Sequence, residues 1–183
     1  ADDRFALSAL EVPMAKRSRG TLEWIRQKLV EKGADSAQAQ AAVEALRQGG
    51  LLDKKAGQGK TGKEALKTEQ AVLLGIAEID YLVAFCMAFI QEHQETDAVK
   101  AAIGSALKSK AEKANIEALK HGSGLESALF GRMVTSDVLS HRDAAVYVAH
   151  SFSVHGLQVE NDYFTVVDDL QEEVGHVLSE TDT

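Results

Sequence analysis

The chain has 183 residues, enough for one or two domains around a sizeable core, and its 45% hydrophobic content is that of a globular protein. One cysteine, Cys86, excludes an internal disulfide and fits a reducing, cytoplasmic setting, while one proline, Pro13, leaves helices free to run. The net charge of −8 divides unevenly: residues 1–121 carry 18 Lys/Arg against 17 Asp/Glu, residues 122–183 carry 2 against 11, and this acidic end argues against generic affinity for polyanions.

In chain order, residues 1–19 end in a basic cluster, Lys16-Arg17-Ser18-Arg19. Gly20 breaks the chain and Thr21 can cap a helix to about Lys32. Leu22, Ile25 and Leu29 give that helix an apolar stripe and Trp24 a large anchor. Gly33 suits a left-handed C-cap. Asp35 with Gln38 reads as a capping box, opening an alanine-rich helix to about Gln48 that stops at Gly49-Gly50.

Residues 54–63 form a basic, glycine-rich linker. Gly57 to Lys63 has phosphate-loop spacing, but Glu64 stands where Ser or Thr would bind magnesium, so a loop is expected there. A long helix is expected over 64–91, with Val72, Ile76, Ile79, Val83 and Met87 at helical spacing and 82–90 central in the core. Glu78 and Asp80 interrupt the apolar run, so no membrane span is expected. No signal peptide is expected at the start either. Asp97 can cap a further helix to about Lys120, with Val99, Ile103, Leu107 and Ile116 inward. Lys100, Lys108, Lys110 and Lys113 lie along it, either as a solvated face or as a phosphate-contacting stripe.

After Gly124 the pattern changes. Val146, Val148, His150, Phe152 and Val154 alternate with Ala145, Tyr147, Ala149, Ser151 and Ser153, which reads as a strand over 144–154. Residues 125–134 are its expected partner strand. Residues 172–183 are acidic and poorly patterned.

Catalytic patterns are weak. His150 and His155 would face opposite sides of a strand and cannot easily share a metal. Asp168, Asp169, Glu172 and Glu173 do not match a calcium loop. Cys86 has no cationic neighbour in sequence to activate it. Ser136, Asp137 and His141 lack a nucleophile elbow. No enzyme activity and no cofactor are expected.

Two motifs carry a resemblance: Gly131-Arg132-Met133-Val134-Thr135-Ser136, and Phe164-Thr165-Val166-Val167-Asp168-Asp169. Together they resemble the guide-RNA-binding backbone subunit of the type I-E CRISPR complex Cascade (CasC-like); type I-C subunits share similar motifs. The likeness is strongest over 124–182 and looser in the helical part.

The resemblance implies a hand-like fold: mainly α with a small β part, with helical fingers inserted in an incomplete RRM-like (ferredoxin-like) palm, plus a thumb-like extension. Residues 1–122 would be fingers, 123–160 partial palm strands and 161–183 the start of a thumb. Family members begin with a palm strand and basic segment ahead of Ala1 and continue beyond Thr183, so the chain is expected to be an internal fragment or the ordered part of a longer subunit.

By the same resemblance, copies would assemble head-to-tail along CRISPR guide RNA, with other Cascade subunits, in a complex that targets DNA. Met133 would lie against bases, Arg132 would pair with a phosphate, and Thr135 or Ser136 would bond the RNA backbone. Tyr163 and Phe164 would stack near a kinked base. Lys108, Lys110 and Lys113 would face target DNA, and Lys16, Arg17 and Arg19 are further basic candidates. A helical protein-interaction module without nucleic-acid binding stays open as the alternative. A hydrolase built on the acidic tail and histidines is a third.

Overall fold

The computed structural model describes residues 15–49, 65–68, 71–119, 124–132, 142–152, 154, 156, 166–167, 170 and 177–178. The order is β1 (Ala15–Ser18), α1 (Thr21–Glu31), α2 (Ser36–Gln48), β2 (Val72–Gly75), α3 (Ile76–Glu92), α4 (Thr96–Ala106), α5 (Lys110–Ala118), α6 (Leu125–Phe130), β3 (Val166–Val167) and β4 (Val177–Leu178). The coarse expectation, mainly α with a small β part, matches this arrangement.

The core follows from helical periodicity. Leu22, Ile25 and Leu29 bury one face of α1, and Ile79, Leu82, Val83, Cys86 and Ile90 do the same for α3. Ala39, Ala42 and Ala45 are buried on α2, which packs against α1 and α4. Small side chains there let the helices on either side come close. Val99, Ile103, Leu107 and Ile116 complete the same cluster.

Ends are set by local hydrogen bonds. Gly20, not Thr21, is the N-cap of α1; Ser18 Oγ accepts from Gly20 N at 2.8 Å. At its C-terminus Gly33 takes φ +94°, Gly33 N donates to Val30 O and Ala34 N to Leu29 O, a Schellman closure. Asp35 caps α2 by accepting from Ala37 N at 2.9 Å. Gln38 does not complete a capping box: its amide instead donates to His93 O and Gln94 O, tying α2 to the end of α3.

The expected helix over 64–91 is replaced by two elements. Val72–Gly75 form β2, antiparallel to β1, with Ala15 opposite Gly75 and Ser18 opposite Val72. Gly75 then serves as N-cap of α3, and Glu78 Oε2 accepts from Gly75 N at 2.8 Å. A short apolar, glycine-ended stretch pairs once a partner strand is available, which periodicity within the stretch does not reveal. The expected helix over 97–120 is also divided. Ser109 Oγ accepts from Glu112 N at 3.1 Å and starts α5 afresh.

Both expected strands after Gly124 are corrected. Leu125–Phe130 is helical, between Gly124 and Gly131, both at positive φ. Residues 144–152 carry no strand. They have β propensity, but a strand needs a ladder, and residues 125–130, placed as the partner, form a helix instead. Tyr147, Val148 and Phe152 are about nine-tenths exposed. In the expected thumb, β3 pairs antiparallel with β4. The glycine-rich linker at 54–63 lies outside the described residues.

Candidate nucleic-acid interface

The basic cluster near the N-terminus lies on the β1–β2 ribbon. Lys16 is opposite Leu74 and Arg17 opposite Leu73. Adjacent strand residues point to opposite faces, so these two cations do not form one patch. Arg17 is exposed and Lys16 half-buried. Arg19 is bound back onto the protein: its Nε donates to Thr68 O at 2.9 Å, and Thr68 N donates to Arg19 O at 2.9 Å.

Arg132 is placed differently from expectation. Its side chain is 2% exposed, and Nη1 donates to Glu78 Oε2 at 2.6 Å. A longer contact, 3.4 Å, reaches Leu73 O. The guanidinium therefore faces Glu78 in the interior and not solvent. The backbone explains the inward course. Gly131 takes φ +78°, and an added Cβ would meet Arg142 O at 2.8 Å and Ala144 N at 2.9 Å. Arg132 and Arg142 then exchange both backbone hydrogen bonds, at 2.8 and 3.0 Å, in an isolated antiparallel bridge.

The lysines expected along one helix are separated by the α4–α5 break. Lys100 donates to Glu44 Oε2 at 3.1 Å and is committed to the helical core's surface. Burial acts to raise the Glu44 carboxyl, but hydrogen bonds from Lys100 and Gln40 outweigh it and hold the group below its usual range. Lys108, Lys110 and Lys113 are exposed and make no ion pair among the described residues. Lys110 and Lys113, three apart on α5, share a side near its positive N-terminal end. Glu112 sits in the same turn and accepts from Tyr81 Oη at 2.7 Å.

Met133, Thr135, Ser136, Tyr163 and Phe164 lie outside the described residues, as do His155, Asp168, Asp169, Glu172 and Glu173. Among the described residues no group of three or more His, Cys, Asp and Glu side chains converges as metal ligands. Cys86 is buried, and desolvation pushes its thiol up to about 12, far from a reactive thiolate. No described helix is long and apolar enough to cross a membrane. Sequence reading did not foresee Glu78 as the partner of Arg132. Its signal was present as Gly75-Ile76-Ala77-Glu78, a glycine followed three residues later by a capping carboxylate.

These features define a mainly helical protein with a short antiparallel ribbon and exposed cations at its margins. The chain belongs to the CT1975-like protein family (Cas_CT1975), whose family model matches residues 2–179. It is similar to a chain of a CRISPR RNA-guided surveillance complex, with 26% identity and a TM-score of 0.51, over 84% of this chain and 45% of that one. A second such chain, from a pre-nicking CRISPR RNA-guided surveillance complex, is 29% identical with a TM-score of 0.49, over 91% of this chain and 45% of that one. This chain thus spans under half the length of the solved chains it matches. No curated protein matches it. The coarse part of the resemblance, to Cascade-type CRISPR proteins, is supported by the family match and by the first of these likenesses.

Proposed function

We propose that the chain is a non-catalytic, guide-RNA-binding backbone subunit of a cytoplasmic Cascade-type complex, or a large part of one. The observation that carries this reading is the structural likeness, at 26% identity over 84% of the chain, to a component of an RNA-guided surveillance complex. Family membership across residues 2–179 supports it. Copies assemble head-to-tail along guide RNA, beside other subunits, and the guide rather than the protein reads target DNA. An asymmetric, repeated contact of this kind gives an open filament instead of a closed dimer.

In this reading Arg17 meets phosphates from the exposed face of the ribbon, Lys16 contributes from its other face, and Arg19 stays held against Thr68. Met133 packs against bases, and Thr135 and Ser136 bond the RNA backbone. Tyr163 and Phe164 stack near a kinked base. Lys110 and Lys113 on α5, and Lys108 in the break before it, face target DNA. Arg132 is buried and paired with Glu78, so a phosphate contact from it requires that pair to open.

Sedimentation of the chain with guide RNAs of increasing length tests the assembly. The mass of the complex should rise in steps of one subunit as the RNA lengthens. A single bound copy at every length, or none, would contradict backbone assembly and favour a protein-docking module.

A further inference from the structure

We propose that residues 145–154 form a docking arm through which two copies of this chain pair, strand to strand and antiparallel, in a register centred on His150. The contact does not depend on RNA. It is isologous and closes at two copies, whereas the proposed assembly along RNA is head-to-tail.

The arm leaves the fold from a clamped base. Ala145 N and Val146 N both donate to Leu129 O at 3.0 Å, and Arg142 just before them exchanges both backbone hydrogen bonds with Arg132. Beyond that base, residues 146–152 run without helix, strand, turn or bend. Among the described residues, 147–152 find no backbone hydrogen-bond partner. Tyr147, Val148 and Phe152 are about nine-tenths exposed, and Val154 is fully exposed. A free row of N–H and C=O groups beside β-branched and aromatic side chains is a template for strand addition by another chain.

Three features select a second copy as the occupant. The first is self-complementarity. In a strand, Val146, Val148, His150, Phe152 and Val154 share one face. Turned antiparallel about His150, Val148 meets Phe152 of the second copy, Val146 meets Val154, and imidazole meets imidazole. Moving the centre by one residue sets His150 against Val148 or Phe152 instead. Aromatic and β-branched residues directly opposite each other are the pairs that stabilise a ladder. The second is charge. Residues 122–183 carry 11 Asp/Glu and 2 Lys/Arg, yet residues 144–159 contain none of these. Two acidic copies therefore meet along the arm without like charges in apposition. The third is area. Tyr147 and Phe152 each offer about 150–250 Å² for burial. With the valines of both copies, the pair reaches the low end of specific interfaces, below about 1,200 Å² in total. The contact is accordingly weak and concentration-dependent, and the clamped base lowers the ordering cost of making it.

Sedimentation velocity of the 183-residue chain without RNA, over a concentration series, tests the pairing. The mass should rise from 19.7 kDa towards twice that value and no further. Phe152→Asp should keep the chain monomeric throughout. That side chain is exposed, so circular dichroism should not change. Disulfide formation under mild oxidation reads the register. Cys86 is buried, so the wild-type chain should not cross-link. His150→Cys should link two copies, because opposite residues have Cα atoms about 4.5–5.5 Å apart. Val146→Cys should not link to itself, since the two positions would lie about 27 Å apart along the ribbon. Mixed with Val154→Cys, it should.

A chain that stays monomeric, with His150→Cys unlinked, would overturn the proposal. A dimer that survives Phe152→Asp would overturn it too, by placing the contact on another surface. Equal cross-linking of His150→Cys and Val146→Cys would reflect random collision and remove the register. A monomer whose affinity for single-stranded RNA falls in Phe152→Asp would assign the arm to stacking on bases and not to a second copy.

Discussion

The guanidinium of Arg132 lies where water cannot screen it, so its pairing with Glu78 reflects desolvation as much as attraction. Removing one partner strands a charge in the interior. Arg132→Met should lower unfolding free energy by about 3–5 kcal/mol in urea titrations, with the Glu78→Gln/Arg132→Met double variant recovering much of that loss. Two other groups give the fold an alkaline limit. Burial pushes the Cys86 thiol from 9.0 up to about 12. Burial, and then the hydrogen bond to Glu112, push the Tyr81 hydroxyl from 10.0 to about 12. Raised folded-state values mean the neutral forms are favoured in the fold. Their stabilisation is complete below the unfolded-state values and is lost as pH climbs toward 12. Stability should be flat up to about pH 9 and fall from there to about pH 12. Tyr81→Phe should make the fall shallower above pH 10, which denaturant titrations across that range would show.

At the scale of elements, the helices with strong apolar stripes were legible, and those whose limits depend on partners were not. Leu22, Ile25 and Leu29, and Ile79, Val83 and Cys86, sit in the core because their spacing alone sends them there. Val72 also fits the helical spacing of 64–91, yet it pairs with Ser18 on a strand. That choice is made by β1, 54 residues earlier, and no local pattern contains it. Ser109 was legible as a cap only once Leu107 and Ile116 were known to enter the core from separate helices. Ser109→Ala should cost about 1 kcal/mol and speed amide exchange in the first turn of α5. An unchanged exchange rate would mean the cap is redundant. The strand expected at 144–154 had the right propensity and lacked the ladder, because 125–130 is helical. Gly131 marks that junction. Gly131→Ala must place a Cβ against Arg142 O at φ +78°, and thermal melts should show a loss of about 1–3 kcal/mol.

For the whole molecule, the arrangement of charge bears on the proposed hold on RNA. Among the described residues, the exposed candidate cations are Arg17 on the β1–β2 ribbon and Lys108, Lys110 and Lys113 around the start of α5, while residues 122–183 carry a net acidic load. Under the proposed assembly, repeated copies along one RNA would add the phosphate contacts that each copy makes. Of the candidate residues, Arg17, Lys108, Lys110 and Lys113 are exposed. The inward turn of Arg132 was hidden because Glu78, which receives it, reads in sequence as a mere interruption of an apolar run. The likeness to a chain of a CRISPR RNA-guided surveillance complex gives this arrangement its meaning.

The most direct test of that meaning is anisotropy of labelled single-stranded RNA titrated with the 183-residue chain at several salt concentrations, beside Lys16→Ala/Arg17→Ala. The RNA-subunit account predicts that affinity falls as salt rises, with a slope of about −0.7 per phosphate neutralised, and that the double variant both weakens binding and flattens the slope. Absence of binding by a folded chain, or binding indifferent to salt and to those two residues, would contradict it.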